Sequence, residues 1–275
     1  MWLTGGFAAV EVAGGAYAGS LALIADAGHM LTDAAALALA WYAFRLARRP
    51  ADPLRSFGYH RAQVLAAFIN GGVLVVVVIW IAVEAVRRLF APIEVLGGPM
   101  LAVGVGGLAI NLIAFALLRE GRDNMNMHAA ALHVIGDLLG SVAAIAAALV
   151  IVETGWTPID PILSVAVAAL VLRSAWALLR RSGHILLEGT PDWLDIEVLR
   201  AELGDAVPGL EDVHHVHIWS MTNERQLLTL HAQVAEGADR DRVLQSIQAY
   251  LAQHYGIDHS TIQIESTICE DTPHN

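Results

Sequence analysis

Charged residues are scarce in this sequence, and lysine is absent altogether. Only 16% of the 275 residues are charged, whereas 56% are hydrophobic. A soluble domain carries about 25% charged residues and about 45–50% apolar ones. Composition therefore favours a membrane protein. A signal peptide does not explain the apolar excess, because apolar stretches recur until about residue 183.

Several motifs are also missing. The single cysteine, Cys269, excludes an internal disulfide and any zinc finger built on cysteines. The chain lacks the His-Glu-x-x-His motif of intramembrane metalloproteases, the clustered histidine boxes of desaturases, a serine elbow and a phosphate-cradling loop. A membrane metalloenzyme is one alternative to a membrane transporter, and these absences argue against it. They also argue against transport powered by ATP hydrolysis.

Charge is unevenly distributed along the chain. Residues 1–183 contain 12 Arg and 11 acidic residues, whereas residues 184–275 contain 4 Arg, 16 acidic residues and 8 of the 12 His. An acidic tail argues against nucleic acid as a partner, since nucleic acid binds basic surfaces. We therefore predict two domains, a transmembrane domain at 1–183 and a cytoplasmic domain at 184–275 that meets cations.

Six apolar segments precede the tail, each near the roughly 20 residues that cross a bilayer. They cover about 2–18, 21–46, 61–85, 99–118, 128–152 and 161–179. This pattern predicts an all-α bundle of six transmembrane helices. Because the first segment is the shortest, either the chain begins abruptly or part of the leading helix lies outside this sequence. The positive-inside rule places both termini in the cytoplasm. Arg87 and Arg88 are exceptions, because they follow the third segment on the opposite side of the membrane.

The tail alternates between helical and strand patterns. Apolar residues recur with helical spacing at Asp192–Ala206. Two stretches with strand-like alternation follow, Val213–Met221 and Gln226–Val234, and helical spacing returns at Asp239–Tyr255. Alternation returns at Ser260–Ile268. The predicted order is α-β-β-α-β, in a small α+β domain that dimerisation would help to stabilise.

Two predicted helices carry matched pairs of titratable residues. His29 and Asp33 lie four residues apart in the second segment, as do His133 and Asp137 in the fifth. Residues four apart share one helix face. Two such helices facing each other would offer two nitrogens and two carboxylates, a four-coordinate set suited to Zn²⁺. Charged residues inside membrane helices are costly and mark ion pathways.

Other readings of these residues stay open. A lone intramembrane His or Asp can simply bond a neighbouring helix, but two matched pairs favour a metal site. Imidazole ligands favour Zn²⁺ over Mg²⁺ and Ca²⁺, with Co²⁺, Cd²⁺ and Ni²⁺ as further candidates. A metal sensor is the second alternative to a transporter, although a sensor needs no ligands at the membrane midplane.

The remaining intramembrane polar residues carry less information. Asp26 shares the helix face of His29 and Asp33, and is interpreted as a partner of the metal ligands, part of a proton path or a helix cap. Four others are predicted to bond helix to helix rather than to line the path: Glu11, Asn70, Glu84 and Asn111. Gly104, Gly106 and Gly107 predict close helix packing.

Further histidines suggest auxiliary metal sites. His60, at the entrance to the third segment, is either an interfacial residue or a metal ligand, and His128 is similar. Strand alternation is expected to send His215 and His217 to one sheet face and His214 to the other. His231, His254, His259 and Glu265 can join either group, and Cys269 with His274 is a weaker pair. A solvated surface is the alternative for all of them.

Several of these stretches resemble the cation diffusion facilitators, above all their zinc-transporting branch, which includes bacterial zinc exporters. The resemblance is carried by residues 20–33, 57–61, 133–141, 213–220 and 260–265. It implies a homodimer of six-helix bundles with a ferredoxin-like cytoplasmic domain, which exchanges zinc for protons across the cell (inner) membrane.

The same resemblance assigns roles to individual residues. His29, Asp33, His133 and Asp137 match the transport site of the family, and a histidine at position 29 implies a preference for zinc over cadmium. His60 matches a loop histidine of an auxiliary site, while His214, His231 and Glu265 fall near positions that bind regulatory metal. The histidine-rich loop of some relatives is absent between the fourth and fifth segments, so no metal sink is expected there.

Overall fold

The computed structural model describes the backbone of residues 2–119 and 125–266, and the side chains of 6–113, 115–116 and 137–266. The chain forms two compact units. The first contains residues 1–43 and 66–179, and the second contains residues 44–65 and 180–275.

Six helices account for most of the chain up to residue 186. They are α1 (Trp2–Ala18), α2 (Leu21–Ala47), α3 (Arg61–Phe90), α4 (Gly97–Arg119), α5 (Met125–Thr154) and α6 (Ile159–Leu186). All six coincide with the apolar segments of the sequence, although α3 and α6 continue beyond the predicted ends. The extra turn of α3 contains Arg87 and Arg88, both of which pair with Glu84 one turn earlier. These ion pairs satisfy the charges within the helix.

Four of the helices are long and apolar enough to cross a membrane. These are α2, α3, α6 and the part of α5 from Asp137 to Thr154. Helix α1 has 17 residues, and α4 is apolar over Gly97–Ile113. The first unit is thus a helical membrane domain with at least four strongly apolar helices.

A buried carboxylate organises the turn between α1 and α2. Gly19 adopts a positive φ of 69°, where a side chain would also strike the Glu94 carbonyl oxygen at 2.7 Å. At the start of α2, the fully buried Asp160 accepts hydrogen bonds from the Ser20 hydroxyl (2.6 Å) and the Leu21 amide (2.7 Å). Asp160 therefore supplies from α6 the capping acceptor that the first turn of α2 requires.

Arg88 balances this carboxylate. Its guanidinium donates to the Gly19 carbonyl at 2.6 Å and lies 3.8 Å from an Asp160 oxygen. The same side chain donates to Glu84 at 3.1 Å. This cluster joins the α1–α2 turn to the ends of α3 and α6, and it shows that Arg88 is held by acidic partners rather than free to bind a membrane surface.

Glycines allow α4 to approach its neighbours closely, as the sequence predicted. A Cβ placed on Gly104 would lie 3.1 Å from Ile145 of α5, and one on Gly106 would lie 3.4 Å from the Phe7 ring of α1. Gly107 is tighter, since its Cβ would lie 2.6 Å from a carboxylate oxygen of Glu11. The absent side chains let the helices pack at short distance.

The predicted α-β-β-α-β order of the tail is confirmed. The elements are α7 (Ile196–Ala206), β1 (Leu210–Ser220), β2 (Gln226–Val234), α8 (Arg240–Tyr255) and β3 (Ser260–Glu265). Strands β1 and β2 form an antiparallel hairpin, while β3 joins the other side of β2 in parallel after the α8 crossover. Asp195 and Asp239 cap α7 and α8, so these helices begin four residues and one residue later, respectively, than the sequence pattern indicated.

One face of the sheet is covered by the two tail helices. Leu199 and Leu203 of α7 and Ile247 and Leu251 of α8 are fully buried in the same core as Leu228 and other alternate residues of β2. The residues between them in β2, including His231, point to the opposite face. Alternation along β2 therefore separates an apolar core face from a face that carries polar side chains.

We predict that Asp160→Asn destabilises the membrane domain. The substitution removes the negative charge that offsets Arg88 and one of the two strong acceptors at the start of α2, and breaking a buried pair of this kind costs about 3 kcal/mol. Thermal unfolding of the detergent-solubilised protein should occur at a lower temperature. The matched control is Asp258→Asn at an exposed carboxylate, and equal unfolding temperatures for both variants would contradict the structural role of Asp160.

Candidate metal sites

Helices α2 and α5 bring three of the four predicted transport ligands together. The Nε2 atom of His29 lies 3.5 Å from Asp33 Oδ2 and 3.8 Å from Asp137 Oδ1. One ligand atom from each of the three side chains lies within 4.8 Å of the others. The side chains are only 12 to 19% exposed. Two helices that are distant in sequence thus converge on one partly buried cluster of a nitrogen and two carboxylates.

These separations suit a small divalent cation. In a tetrahedral site with zinc–ligand bonds of roughly 2.0 Å, neighbouring ligand atoms are about 3.3 Å apart. The His29 nitrogen is already within a few tenths of an ångström of that distance from both carboxylates. Only small side-chain movements are needed for the three groups to bind one ion.

His133 is the fourth predicted ligand, and its side chain lies outside the described residues. Its backbone belongs to α5, one helical turn before Asp137. Residues four apart lie on the same helix face. The helix therefore gives His133 the same relation to Asp137 that His29 has to Asp33 in α2, and its role as a ligand stays a prediction.

A cavity of about 370 Å³ opens beside the cluster. His29 and Asp26 line it on α2, while its other walls are mostly apolar side chains of α3, α5 and α6, such as Val77, Leu139 and Val171. Apolar walls weaken the screening of charge, so interactions between an ion and the carboxylates are stronger here than in water.

Asp26 is neither a helix cap nor one of the three clustered ligands. It is buried, lies in the second turn of α2, and interacts with the Ser141 side chain of α5. The Ser141 hydroxyl in turn accepts from the Asn111 amide of α4 at 3.1 Å. Asn111 therefore bonds helix to helix, as predicted. The same prediction is wrong for Glu84, which pairs with Arg87 and Arg88 of its own helix, and Glu11 has no hydrogen-bond partner among the described residues. Asn70 has no hydrogen bond or ion pair among the described residues.

A second cluster, also partly buried, lies on the face of the tail sheet opposite the apolar core. Glu265 bridges two histidines, with one oxygen 3.1 Å from His214 Nε2 and the other 2.8 Å from His231 Nδ1. Asp212 lies 2.9 Å from the other ring nitrogen of His214. Partnering a histidine with a carboxylate through its second nitrogen is the arrangement that orients metal-binding imidazoles. Three of the four predicted auxiliary ligands thus meet on neighbouring strands.

The predicted distribution of β1 histidines between the sheet faces is wrong. His214 pairs with His231, and His217 pairs with Thr229, so the two residues between them oppose a single residue of β2. His215 occupies this bulge with a φ of 47°, and its ring lies 4.9 Å from that of His231 and 5.4 Å from that of His214. The bulge interrupts alternation and turns His214 and His215 toward the same cluster.

His60 does not join this cluster. Its Nε2 atom lies 3.2 Å from the Arg225 guanidinium, and the described residues place no other metal ligand in a group with it. The loop before it is shaped by Asp52, which accepts from the Leu54 and Arg55 amides at 2.9 and 2.8 Å. The Tyr59 hydroxyl, donating at 2.8 Å, holds the pKa of Asp52 below its usual range. A neighbouring cation disfavours metal binding at His60 in this arrangement.

The remaining histidines of the tail have other contacts. His254 stacks on Tyr250 with ring centroids 4.1 Å apart, and His259 meets the edge of Phe57 at 6.2 Å. Neither belongs to the metal-binding groups found among the described side chains. Cys269, His274 and the side chain of His128 lie outside the described residues.

The cluster around Asp160 was not predicted from the sequence. An acidic residue at the first turn of an apolar helix is a signal for a buried cap or ion pair. Its partners, Arg88 and the amides of α2, are more than 70 residues away along the chain. Periodicity alone gives no access to such pairings.

Most of the chain matches the models of one family of metal-ion transporters. Residues 1–187 match the cation efflux transmembrane domain, and residues 191–267 match the cation efflux protein cytoplasmic domain. Together with the paired His and Asp residues of α2 and α5, these matches show that the chain belongs to the cation efflux family, the cation diffusion facilitators. It is accordingly a multi-pass membrane transporter and not an enzyme.

Relatives with close similarity include bacterial zinc transporters. The zinc transporter ZitB of Pectobacterium atrosepticum is 52% identical over 98% of this chain and 84% of its own length, and that of Escherichia coli is 52% identical over 97% and 86%. A cadmium, cobalt and zinc/H⁺-K⁺ antiporter of Bacillus subtilis is 41% identical over 95% of this chain and 85% of its own.

We predict that His231→Ala removes one bound zinc ion per chain from the tail. The substitution deletes a ligand of the His214–Glu265 cluster and leaves only one imidazole beside the carboxylate. Zinc binding is measured by competition with a chromophoric chelator on purified protein. His254→Ala is the control, because His254 stacks on Tyr250 away from the cluster. Unchanged zinc content in His231→Ala would rule out metal binding by this cluster.

Proposed function

We propose that this chain exports zinc from the cytoplasm in exchange for protons, with His29, Asp33, His133 and Asp137 as the transport site. The observation that carries the proposal is the convergence of His29 with Asp33 and Asp137. The names of the relatives, zinc transporters and a cadmium, cobalt and zinc/H⁺-K⁺ antiporter, support the same substrate class.

Exchange follows from the chemistry of the ligands. Only neutral imidazole and ionised carboxylate bind a metal ion, so zinc and protons compete for the same groups. An unperturbed histidine side chain has a pKa of about 6.5, close to cellular pH. A site that faces the cytoplasm is deprotonated and loads zinc. Protons that enter from the outer side then displace the ion, and the protonated helices return to the first arrangement.

The finer architecture belongs to the same proposal. All six helices α1–α6 cross the inner membrane, the transmembrane domain ends at residue 183, and the tail of residues 184–275 is a ferredoxin-like domain on the cytoplasmic side. The ion pairs of Arg88 with Glu84 and Asp160 support this orientation. They neutralise Arg88 on the non-cytoplasmic side of the membrane, where positive charge is disfavoured. The name of the family model for the tail, a dimerisation domain, supports a homodimer.

The tail acts as a zinc-responsive regulator in this proposal. The cluster of His214, His231 and Glu265 offers two imidazoles and one carboxylate for a zinc ion distinct from the transported one. Its occupancy regulates transport to the extent that the ion binds one transport state more tightly than the other. His60, beside Arg225, is not included among these ligands.

We predict that Asp137→Asn lowers zinc transport at least about tenfold. A loss of this size is typical even when the removed residue only hydrogen-bonds to a metal ligand, and Asp137 is proposed to bind the ion itself. The amide keeps the size of the side chain but removes the charge that attracts the ion. Zinc uptake is measured in proteoliposomes under an imposed pH gradient. His29→Ala is expected to show the same loss, and Asp258→Asn, at an exposed carboxylate in the tail, is the matched control.

Two outcomes would contradict the proposal. Zinc uptake by Asp137→Asn and His29→Ala at the rate of the control would remove the assigned transport site. Uptake by the unaltered protein that persists when the pH gradient is collapsed would remove proton exchange, while leaving zinc transport itself in place.

A further inference from the structure

Glu11 is an unusual carboxyl group for the interior of a membrane domain. Its side chain is fully buried in α1, and both of its oxygens lack a hydrogen-bond partner within the described parts of the chain. Nor does any described residue form a salt bridge with it. A buried carboxylate without such partners is strongly disfavoured, whereas the neutral acid is tolerated. The environment therefore favours a carboxyl group that holds a proton.

The surroundings of Glu11 connect it to the transport site. A Cβ on Gly107 of α4 would lie 2.6 Å from Glu11 Oε1 and 3.4 Å from Ser141 Oγ, so the missing side chain leaves room for both groups. The Ser141 side chain interacts with Asp26, which lies one helical turn before His29 on α2 and lines the same cavity as His29. Polar side chains of α5 and α2 thus lie between Glu11 and the cavity beside the candidate metal ligands.

Within the described side chains, the charged groups that act on Glu11 are acidic carboxyls of the bundle. Asp26 on α2 and Asp137 on α5 act on it electrostatically, and α4 presents Gly107 and the neutral Asn111 on this side. Like charges disfavour ionisation of Glu11 as long as the metal site is empty. A divalent cation between His29, Asp33 and Asp137 reverses the sign of the nearby field and favours the ionised form.

We propose that Glu11 carries a proton of the transport cycle and does so without binding the metal. When zinc enters the site, the O–H bond of the Glu11 carboxyl breaks and its proton leaves as hydronium, so a carboxylate remains that partly balances the ion. When zinc leaves, the carboxylate takes up a proton from the outer side. This inference rests on the proposed zinc–proton exchange, and it adds a proton carrier outside the four metal ligands.

The test compares protons moved per zinc ion in proteoliposomes, with a pH-sensitive dye and a zinc-sensitive dye recorded together. Glu11→Gln keeps the shape of the side chain but cannot release a proton, so the proton-to-zinc ratio should fall and the pH dependence of zinc uptake should flatten. Zinc binding at the transport site should persist in a chelator competition. Glu11→Asp should retain the ratio, and Glu153→Gln, at an exposed position of α5, is the matched control.

A ratio in Glu11→Gln equal to that of the control would overturn the inference. If Glu11→Gln does not fold, infrared difference spectra of the unaltered protein, zinc-loaded minus metal-free, provide an independent test. They should show loss of the carbonyl band of a protonated carboxyl, and that band should shift in Glu11→Asp. Absence of the band, or a band unaffected by Glu11→Asp, would also overturn the inference.

Failure of the inference and failure of the proposed function give different results. If Asp137→Asn abolishes zinc uptake while Glu11→Gln leaves the proton-to-zinc ratio intact, zinc–proton exchange stands and Glu11 has no part in it. If the unaltered protein moves no zinc, or moves zinc without protons, the proposed function itself is wrong.

Discussion

The cost of placing charge inside hydrocarbon governs the membrane domain of this protein. Each ionisable side chain at membrane depth must be paired, neutralised or offset by a bound ion. Asp160 meets this requirement by capping α2 and facing Arg88. His29, Asp33 and Asp137 converge instead on one another, with two acidic groups beside a single imidazole. A divalent cation is the natural complement of that excess of negative charge.

The two candidate metal sites offer the same kinds of side chain on different secondary structures. In the membrane domain, the spacing of four residues along α2 places His29 and Asp33 one turn apart, and Asp137 of α5 joins them. In the tail, a hairpin and a parallel strand bring His214, His231 and Glu265 to one sheet face, helped by the bulge at His215. The first cluster is enclosed by helices, as a transported ion requires, whereas the second lies on a sheet face opposite the apolar core.

Much of this architecture is predictable from the sequence, because apolar runs and residue periodicity are local properties. The six apolar segments, the α-β-β-α-β tail and the pairing within His29–Asp33 follow from spacing alone. Three features do not. They are the bulge that turns His215 toward His214, the capping of α2 by Asp160 and the surroundings of Glu11. All three depend on contacts between distant segments. The position of Arg225 beside His60 is another such contact, and a metal site at His60 stays a prediction.

We propose above all that side chains of α2 and α5 coordinate the same zinc ion. Anomalous diffraction at the zinc edge from crystals of the zinc-loaded protein tests it most directly. The account predicts a peak bonded to His29, Asp33 and Asp137, with His133 completing the coordination, at roughly 2.0–2.2 Å from the ligand atoms. Zinc found in the tail but not between these helices, under conditions that support transport, would contradict it.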